Sequence, residues 1–98
     1  MPLPVYRSSR FLNDYQAYLL YLIENHSLET AHGFDIQVSE LIRLIGGYPQ
    51  MYPRIRKSTP TRRALVNEYA CLYYRVNEQH IQLIGLYGTR QNPQTMKL

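Results

Sequence analysis

The first half of the chain carries apolar residues at spacings of three and four, the pattern of helices that bury one face. It predicts a first helix from about residue 10 to residue 25, with Ser8 or Ser9 as the N-cap. A second helix is predicted from about residue 28 to residue 45, ended by a C-cap pair at Gly46 and Gly47. The predicted buried faces consist of Phe11, Leu12, Tyr15, Tyr18, Leu19, Leu22 and Ile23 in the first helix and of Ala31, Phe34, Val38, Leu41, Ile42 and Ile45 in the second.

The second half carries short runs of β-branched, aromatic and aliphatic residues separated by polar turns, which predicts strands. We expect strands at residues 63–66, 69–76 and 81–87, joined by hairpin-length turns at residues 67–68 and 77–79. In the last strand, residues 81, 83, 84 and 86 are all apolar, so the pattern leaves its inward face open. In the middle strand, alternation predicts a core face made of Ala70, Leu72, Tyr74 and Val76.

A further short strand, Val5 to Ser8, precedes the first helix, and the prolines before it favour an edge position or a strand end. Residues 48–61 contain three prolines, which disfavour a helix or a central strand, so we expect a surface loop. The element order is therefore β-α-α-β-β-β. It predicts an α+β fold in which a two-helix antiparallel hairpin covers one face of a small, mostly antiparallel sheet. The 98 residues are expected to form a single domain with a polar C-terminal tail from about residue 91.

Charge is distributed unevenly along the chain, which has a net charge of +4. Residues 11–40 contain no Lys or Arg, and their acidic residues are Asp14, Glu24, Glu29, Asp35 and Glu40. Residues 41–67 contain no Asp or Glu, and their cations are Arg43, Arg54, Arg56, Lys57, Arg62 and Arg63. This division predicts an acidic helical side and a basic side that attracts a polyanion in a salt-dependent way.

Several classes of protein are disfavoured by what the sequence lacks. It has no secretory signal pattern and no apolar run of the roughly 20 residues that span a bilayer, so we expect a cytoplasmic protein without membrane contact. A single cysteine, Cys71, cannot form an intrachain disulfide or a thiolate zinc site, and its place in a strand favours burial. The glycine pair at residues 46 and 47 follows a helix rather than opening one, which disfavours a phosphate loop. We expect no cofactor, no metal and no small-molecule substrate.

Three passages together resemble the RelE/ParE superfamily of bacterial toxins: the strand YACLYYRV, the last strand with its tail IQLIGLYGTRQNP, and the segment from Tyr48 to Pro53. The resemblance covers nearly the whole chain. It implies two helices followed by an antiparallel meander, and the role of toxin in a type II toxin-antitoxin module. It also implies a cognate antitoxin protein that wraps the toxin and masks its active surface.

The resemblance also implies a site. In the RNA-cleaving branch of the superfamily, cations surround a phosphate of messenger RNA on the ribosome, and the RNA 2′-hydroxyl attacks its own 3′-phosphate. By position, Arg62 or Arg63 matches the strand cation of that site and Arg90 matches the arginine after the last strand. The same cations also fit a solvated face or a site for an acidic partner. The residues expected to bind nucleic acid or a partner are Arg54, Arg56, Lys57 and Tyr52.

Cleavage also needs a proton acceptor. Members of the RNA-cleaving branch often carry a tyrosine or histidine in the C-terminal tail, but residues 91–98 contain neither. Tyr87 would serve if neighbouring cations lowered its pKa, and Glu68 or His80 would serve if the fold brought them close.

Three functions are therefore open at the level of sequence. The first is a metal-independent endoribonuclease that acts on messenger RNA at the ribosome. The second is a non-enzymatic, ParE-like inhibitor that binds DNA gyrase, which the absence of a tail base favours. The third is a protein of the same fold that is not toxic and only binds its partner. The sequence leaves open whether the chain is an enzyme.

Overall fold

The computed structural model describes residues 3–89. Its elements follow the predicted order and are β1 (Val5–Arg7), α1 (Ser9–Asn25), α2 (Leu28–Gly47), β2 (Arg62–Leu65), β3 (Ala70–Val76) and β4 (Ile81–Gly88). The predicted α+β class, with a helical hairpin on a mostly antiparallel sheet, is confirmed. The tail predicted from residue 91 lies outside the described residues.

One sheet contains all four strands, in the order β1-β4-β3-β2. β3 pairs antiparallel with both β2 and β4, as expected for a meander. β1 pairs in parallel with the start of β4, from Val5 opposite Ile81 to Arg7 opposite Leu83. β1 is thus an edge strand, which agrees with the prolines that precede it.

Serine side chains cap the N-termini of both helices. The Ser8 Oγ accepts a hydrogen bond from the Phe11 N–H at 3.0 Å, which confirms one of the two predicted caps of α1. The Ser27 Oγ accepts from the Thr30 N–H at 3.0 Å and caps α2 in the same way. The short connection between the helices makes the predicted hairpin.

The end of α2 differs from the prediction. The helix continues through Gly47, and the C-cap is Tyr48, whose N–H donates to the Leu44 carbonyl at 2.8 Å. Neither Gly46 nor Gly47 has a positive φ, so the predicted glycine cap is wrong. The Gly46 carbonyl instead accepts a hydrogen bond from the Leu3 N–H at 3.1 Å, which ties the start of the chain to this helix.

The core lies between the helical hairpin and one face of the sheet. All the apolar positions predicted for α2 are buried or packed against this core. In α1 the prediction is wrong at two positions, because Leu12 and Ile23 are 41% and 40% exposed. At about 100° per residue, both lie to one side of the stripe that faces the core. The α1 residues that are buried or packed against the core are Phe11, Tyr15, Tyr18, Leu19 and Leu22.

A register shift in β4 settles which of its apolar residues face the core. Tyr73 pairs with Gly85, whereas its neighbour Tyr74 pairs with Leu83, so Ile84 has no partner in the register. Such a bulge changes the phase of alternation within one strand. It allows residues 81, 83 and 86 to be buried in the same core although their spacing is uneven.

The first turn of α1 covers the part of the β4 edge that β1 is too short to reach. The Ser8 N–H donates to the Leu83 carbonyl at 3.1 Å, and the Ser8 hydroxyl donates to the Ile84 carbonyl at 3.2 Å. Further along, the Asp14 carboxylate accepts from the Leu86 N–H at 3.2 Å. These contacts satisfy strand groups that would otherwise form an open edge, and they fix α1 against β4.

Residues 48–61 contain no named strand, as predicted, but they are attached to the sheet. An isolated antiparallel bridge joins Arg54 to Arg62, and the Ile55 N–H donates to the Thr61 carbonyl at 2.9 Å. The loop therefore places its cations beside β2. Within residues 3–89, neither helix combines the length and the apolar character that a membrane span requires.

Candidate functional site

The sheet face directed away from the core carries the predicted strand cation. Residues of β3 at positions 70, 72 and 74 belong to the core that contains the helices. The opposite side, here named the outer face, is formed by Cys71, Tyr73 and Arg75 of β3, Arg63 of β2 and Tyr87 of β4. Cys71 and Tyr73 are fully buried, so the outer face is covered at its centre. The predicted burial of Cys71 is confirmed.

Arg63 is a partly buried arginine with unused hydrogen-bonding capacity. Its Nη2 donates to the Thr89 carbonyl at 3.4 Å, and its Nε is buried with no acceptor among the described residues. The neighbouring Cys71 side chain raises the pKa of Arg63, so the guanidinium remains charged. No carboxylate within residues 3–89 forms an ion pair with it. A partly buried cation of this kind favours binding of an anion, because an anion supplies the missing acceptors.

Tyr73 is a hydrogen-bonding residue rather than a base. The Cys71 thiol donates to its hydroxyl at 3.6 Å. Burial raises the pKa of Tyr73 to about 12, and the Cys71 hydrogen bond raises it further while Arg63 opposes the shift. At neutral pH the phenol is therefore protonated and cannot accept a proton from a substrate.

Tyr87, the predicted proton acceptor, is packed on three sides. Its ring meets the Tyr73 ring edge-on, with centroids 5.4 Å apart. The Cζ of Arg10, from α1, lies 5.2 Å from the centre of the same ring. The third contact is with Gly85, where an added Cβ would be 2.9 Å from the Tyr87 Cε2. Arg10 was not among the residues singled out from the sequence.

The Tyr87 hydroxyl is buried and has no hydrogen-bond partner among the described residues. A catalytic base must come within hydrogen-bond reach of the proton that it removes. The hydroxyl would therefore have to become exposed before it could act on RNA. The catalytic role of Tyr87 stays a prediction.

Arg62 lies on the other side of β2 from Arg63. It pairs with Tyr74, a core residue, and its Nη1 donates to the Tyr52 carbonyl at 2.5 Å. Tyr52 is partly buried against the core, and its ring meets the Tyr74 ring edge-on at 6.5 Å. Arg62 and Arg54 also line a cleft of about 330 Å³ next to the β3–β4 turn. The predicted strand cations thus belong to two separate places.

The remaining predicted cations occupy the loop or lie beyond the described residues. Lys57 is exposed in the loop, and Arg56 is partly exposed next to it, with its carbonyl accepting from the Thr59 N–H at 3.4 Å. Arg90 lies outside the described residues. The last described residue, Thr89, carries the carbonyl to which Arg63 donates.

Neither alternative proton acceptor lies beside both Arg63 and Tyr87. Glu68 is exposed in the β2–β3 turn, where its carbonyl accepts from the Thr89 hydroxyl at 2.7 Å. His80 precedes β4, at the opposite end from Thr89, which corresponds to roughly 30 Å of extended strand. Within residues 3–89 there is also no group of three or more His, Cys, Asp or Glu side chains that could hold a metal.

A groove of about 770 Å³ lies on the helical side of the molecule. Its lining includes Tyr18 and Tyr21 of α1, Phe34 of α2 and Tyr69 of the β2–β3 turn. Tyr21 and Tyr69 are 49% and 66% exposed, so aromatic surface is available there. The helices that form the groove belong to the acidic part of the chain, which distinguishes this surface from the outer face.

The fold is similar to that of solved toxin structures. A chain of the chromosomal ParDE TA system from P. aeruginosa matches with a TM-score of 0.75 and 14% identity, over 88% of this chain and 95% of that chain. The YoeB dimer from Staphylococcus aureus matches with a TM-score of 0.61 and 18% identity, over 87% and 94%. YafQ from E. coli strain BL21(DE3) matches with a TM-score of 0.61 and 14% identity, over 89% and 93%.

No protein-family model matches the sequence, and no curated protein sequence is significantly similar to it. The structural matches are toxins of the RelE/ParE superfamily, so the chain has the RelE/ParE-like toxin fold. At identities of 14–18% this likeness shows the fold. Activity has to be argued from the residues of this chain.

Proposed function

We propose that this chain is the toxin of a type II toxin-antitoxin module and acts in the cytoplasm. The observation that carries the proposal is the shared toxin fold, which extends over 88% of this chain and 95% of the ParDE chain. The resemblance of the β3 and β4 sequences to the same superfamily supports it independently of the coordinates.

The proposed partner is a cognate antitoxin protein. One of the structural matches is a YoeB-YefM complex from Staphylococcus aureus, and the ParDE structure is a toxin-antitoxin system as well. The aromatic groove beside Tyr21 and Tyr69 offers apolar contacts to an antitoxin segment. The cations of β2 and the loop offer sites for acidic residues of the same protein.

The first proposed activity is metal-independent cleavage of messenger RNA on the ribosome. Arg63 supports it, because a partly buried guanidinium without a carboxylate partner within residues 3–89 is suited to hold a phosphate. In this reaction the 2′-oxygen bonds to phosphorus as its proton passes to an acceptor. The bond from phosphorus to the 5′-oxygen breaks, and that oxygen takes a proton from solvent. Arg54, Lys57 and Arg90 are proposed to hold the flanking RNA backbone.

A second activity, inhibition of DNA gyrase by binding, is favoured by two observations. The ParDE chain matches with a TM-score of 0.75, against 0.61 for YoeB and YafQ, and ParE is a gyrase inhibitor. In addition, the Tyr87 hydroxyl is buried and the pKa of Tyr73 is raised, so neither tyrosine offers an exposed proton acceptor. Inhibition by binding needs no such group.

One pair of assays separates the two activities. Purified antitoxin-free protein is added to a translating extract, and new messenger RNA 5′ ends are mapped by primer extension. Arg63→Ala and Arg90→Ala serve as test variants, and Arg43→Ala serves as control, because Arg43 pairs with Glu40 at 2.9 Å on α2. Ribosome-dependent cuts that disappear in both test variants would establish cleavage.

The same samples are then tested for inhibition of gyrase supercoiling. Inhibition without any cut would establish the ParE-like activity. If the folded wild-type protein shows neither effect and its expression without antitoxin is harmless, the proposal that it is a toxin is wrong.

A further inference from the structure

Arg10 lies beside the outer face although it belongs to α1. Its Cζ is 5.2 Å from the centre of the Tyr87 ring, within the range of cation–π attraction. The Tyr87 ring is 5.4 Å from the Tyr73 ring, and Tyr73 lies opposite Arg63 in the sheet register. Two packed tyrosines therefore separate two guanidinium groups, one from α1 and one from β2.

The position of Arg10 is fixed by contacts on both sides of it along α1. Ser8 donates to the Ile84 carbonyl at 3.2 Å, and the Asp14 carboxylate accepts from the Leu86 N–H at 3.2 Å. These bonds attach the first turns of α1 to β4 just before its aromatic residue. The arginine is consequently held at a constant place relative to the outer face.

We propose that Arg10 is a phosphate-binding residue of the same site as Arg63, and that its ligand is a phosphate of single-stranded RNA next to the one at Arg63. This inference rests on the proposed action on RNA. Arg10 is exposed, so a phosphate reaches it without a change in the core. Its planar fork is suited to bidentate contact with phosphate oxygens. Arg63 then holds the less exposed phosphate, and Arg10 fixes the direction in which the strand leaves the site.

Direct binding tests the proposal without requiring cleavage. Antitoxin-free protein is titrated into a short fluorescent oligouridine, and the dissociation constant is measured by fluorescence anisotropy over a series of salt concentrations. We expect Arg10→Ala to weaken binding by about tenfold. It should also reduce the slope of log Kd against log salt by about 0.7, which corresponds to one phosphate contact on a single strand. Arg10→Lys should keep the wild-type slope, because it keeps the charge.

Two further variants make the result specific. Arg10→Gln keeps a long side chain against the Tyr87 ring but removes the charge, so it should lose affinity and slope as Arg10→Ala does. Arg43→Ala, which removes a paired cation of α2, should bind as the wild type does. Near-ultraviolet circular dichroism of the tyrosines checks that each variant is folded.

Two results would overturn the inference. If Arg63→Ala weakens binding while Arg10→Ala and Arg10→Gln bind with the wild-type affinity and slope, Arg10 is only a packing residue. If the folded wild-type protein does not bind the oligouridine at any salt concentration, the proposed action on RNA is wrong, and the inference fails with it.

Discussion

Arg62 and Arg63 are neighbours in the sequence, yet their guanidinium groups lie on opposite faces of the sheet. Arg62 donates to the Tyr52 carbonyl at 2.5 Å, whereas Arg63 donates to the Thr89 carbonyl at 3.4 Å. The first contact makes Arg62 part of the attachment of the loop to β2. The second leaves most of the Arg63 donors for a ligand. The two residues therefore have different expected roles.

Substitution of each arginine by alanine should separate these roles. Arg62→Ala should lower the free energy of unfolding by roughly 1–2 kcal/mol, because the loop loses a charge-assisted hydrogen bond. Arg63→Ala should leave stability unchanged or increase it, because it removes a partly buried charge that has no carboxylate partner within residues 3–89. Only Arg63→Ala should strongly weaken RNA binding. Urea denaturation and anisotropy measure the two effects, and the opposite assignment of the effects would contradict the division of the cations.

Gly85 should be required for the packing of Tyr87. Gly85→Ala would place a Cβ 2.9 Å from the Tyr87 Cε2 and 3.2 Å from the Asp14 Oδ2. We expect it to lower the free energy of unfolding by roughly 1–3 kcal/mol, as other overpacked sites do. Gly33→Ala is the matched control, because nothing lies within 4 Å of its added Cβ in α2. It should raise stability by roughly 0.5–1 kcal/mol through helix propensity. Equal melting temperatures for the two variants would show that the ring moves aside at no cost.

Local periodicity was sufficient to predict the elements of this fold, but not their details at places where distant segments meet. The end of α2 was predicted at Gly46 because a glycine pair is typical of a C-cap. In the structure Gly46 has a helical role and bonds to Leu3, a contact that no local pattern indicates. Likewise, the bulge at Ile84 depends on how β3 and β4 pair, so the sequence left the inward face of β4 open.

The candidate site was predictable only in part, because its members come from distant segments. The sequence indicated Arg63 and Tyr87 through their places at the strands. It did not indicate Arg10, because Arg10 reaches the site only through the parallel pairing of β1 with β4 and the attachment of α1 that follows. Arg62 was grouped with Arg63 because the strand was predicted to begin one residue late. The observed β2 begins at Arg62, and alternation then puts the two side chains on opposite faces.

Alkaline pH should destabilise the protein through its buried tyrosines. Burial raises the pKa of Tyr73 and of Tyr74 to about 12, so the folded state favours the protonated phenols. The stabilisation is complete below pH 10, the ordinary value, and is lost as pH rises from about 10 to about 12. Urea denaturation at a series of pH values should show this decline. Tyr73→Phe should make the decline shallower, whereas an unchanged pH dependence would show that the Tyr73 phenol titrates normally.

Asp14 should hold α1 against β4 as a hydrogen-bond acceptor. Its carboxylate accepts from the Leu86 N–H at 3.2 Å, and no strand covers that part of the β4 edge because β1 ends at Arg7. Asp14→Ala should cost roughly 1–3 kcal/mol, because it leaves a partly buried N–H without an acceptor. Asp14→Asn keeps an oxygen at that position, so it should cost clearly less.

Amide hydrogen exchange distinguishes this local role from general destabilisation. The Leu86 amide should exchange faster in Asp14→Ala than in Asp14→Asn when both are measured at equal global stability, set by a small difference in urea. Amides in the centre of β3 should exchange alike in both variants, because their partners in β2 and β4 are intact. If Leu86 is equally protected in the two variants, the helix is held by its apolar contacts and the Ser8 bonds alone. Arg10 would then keep its place beside Tyr87 without Asp14.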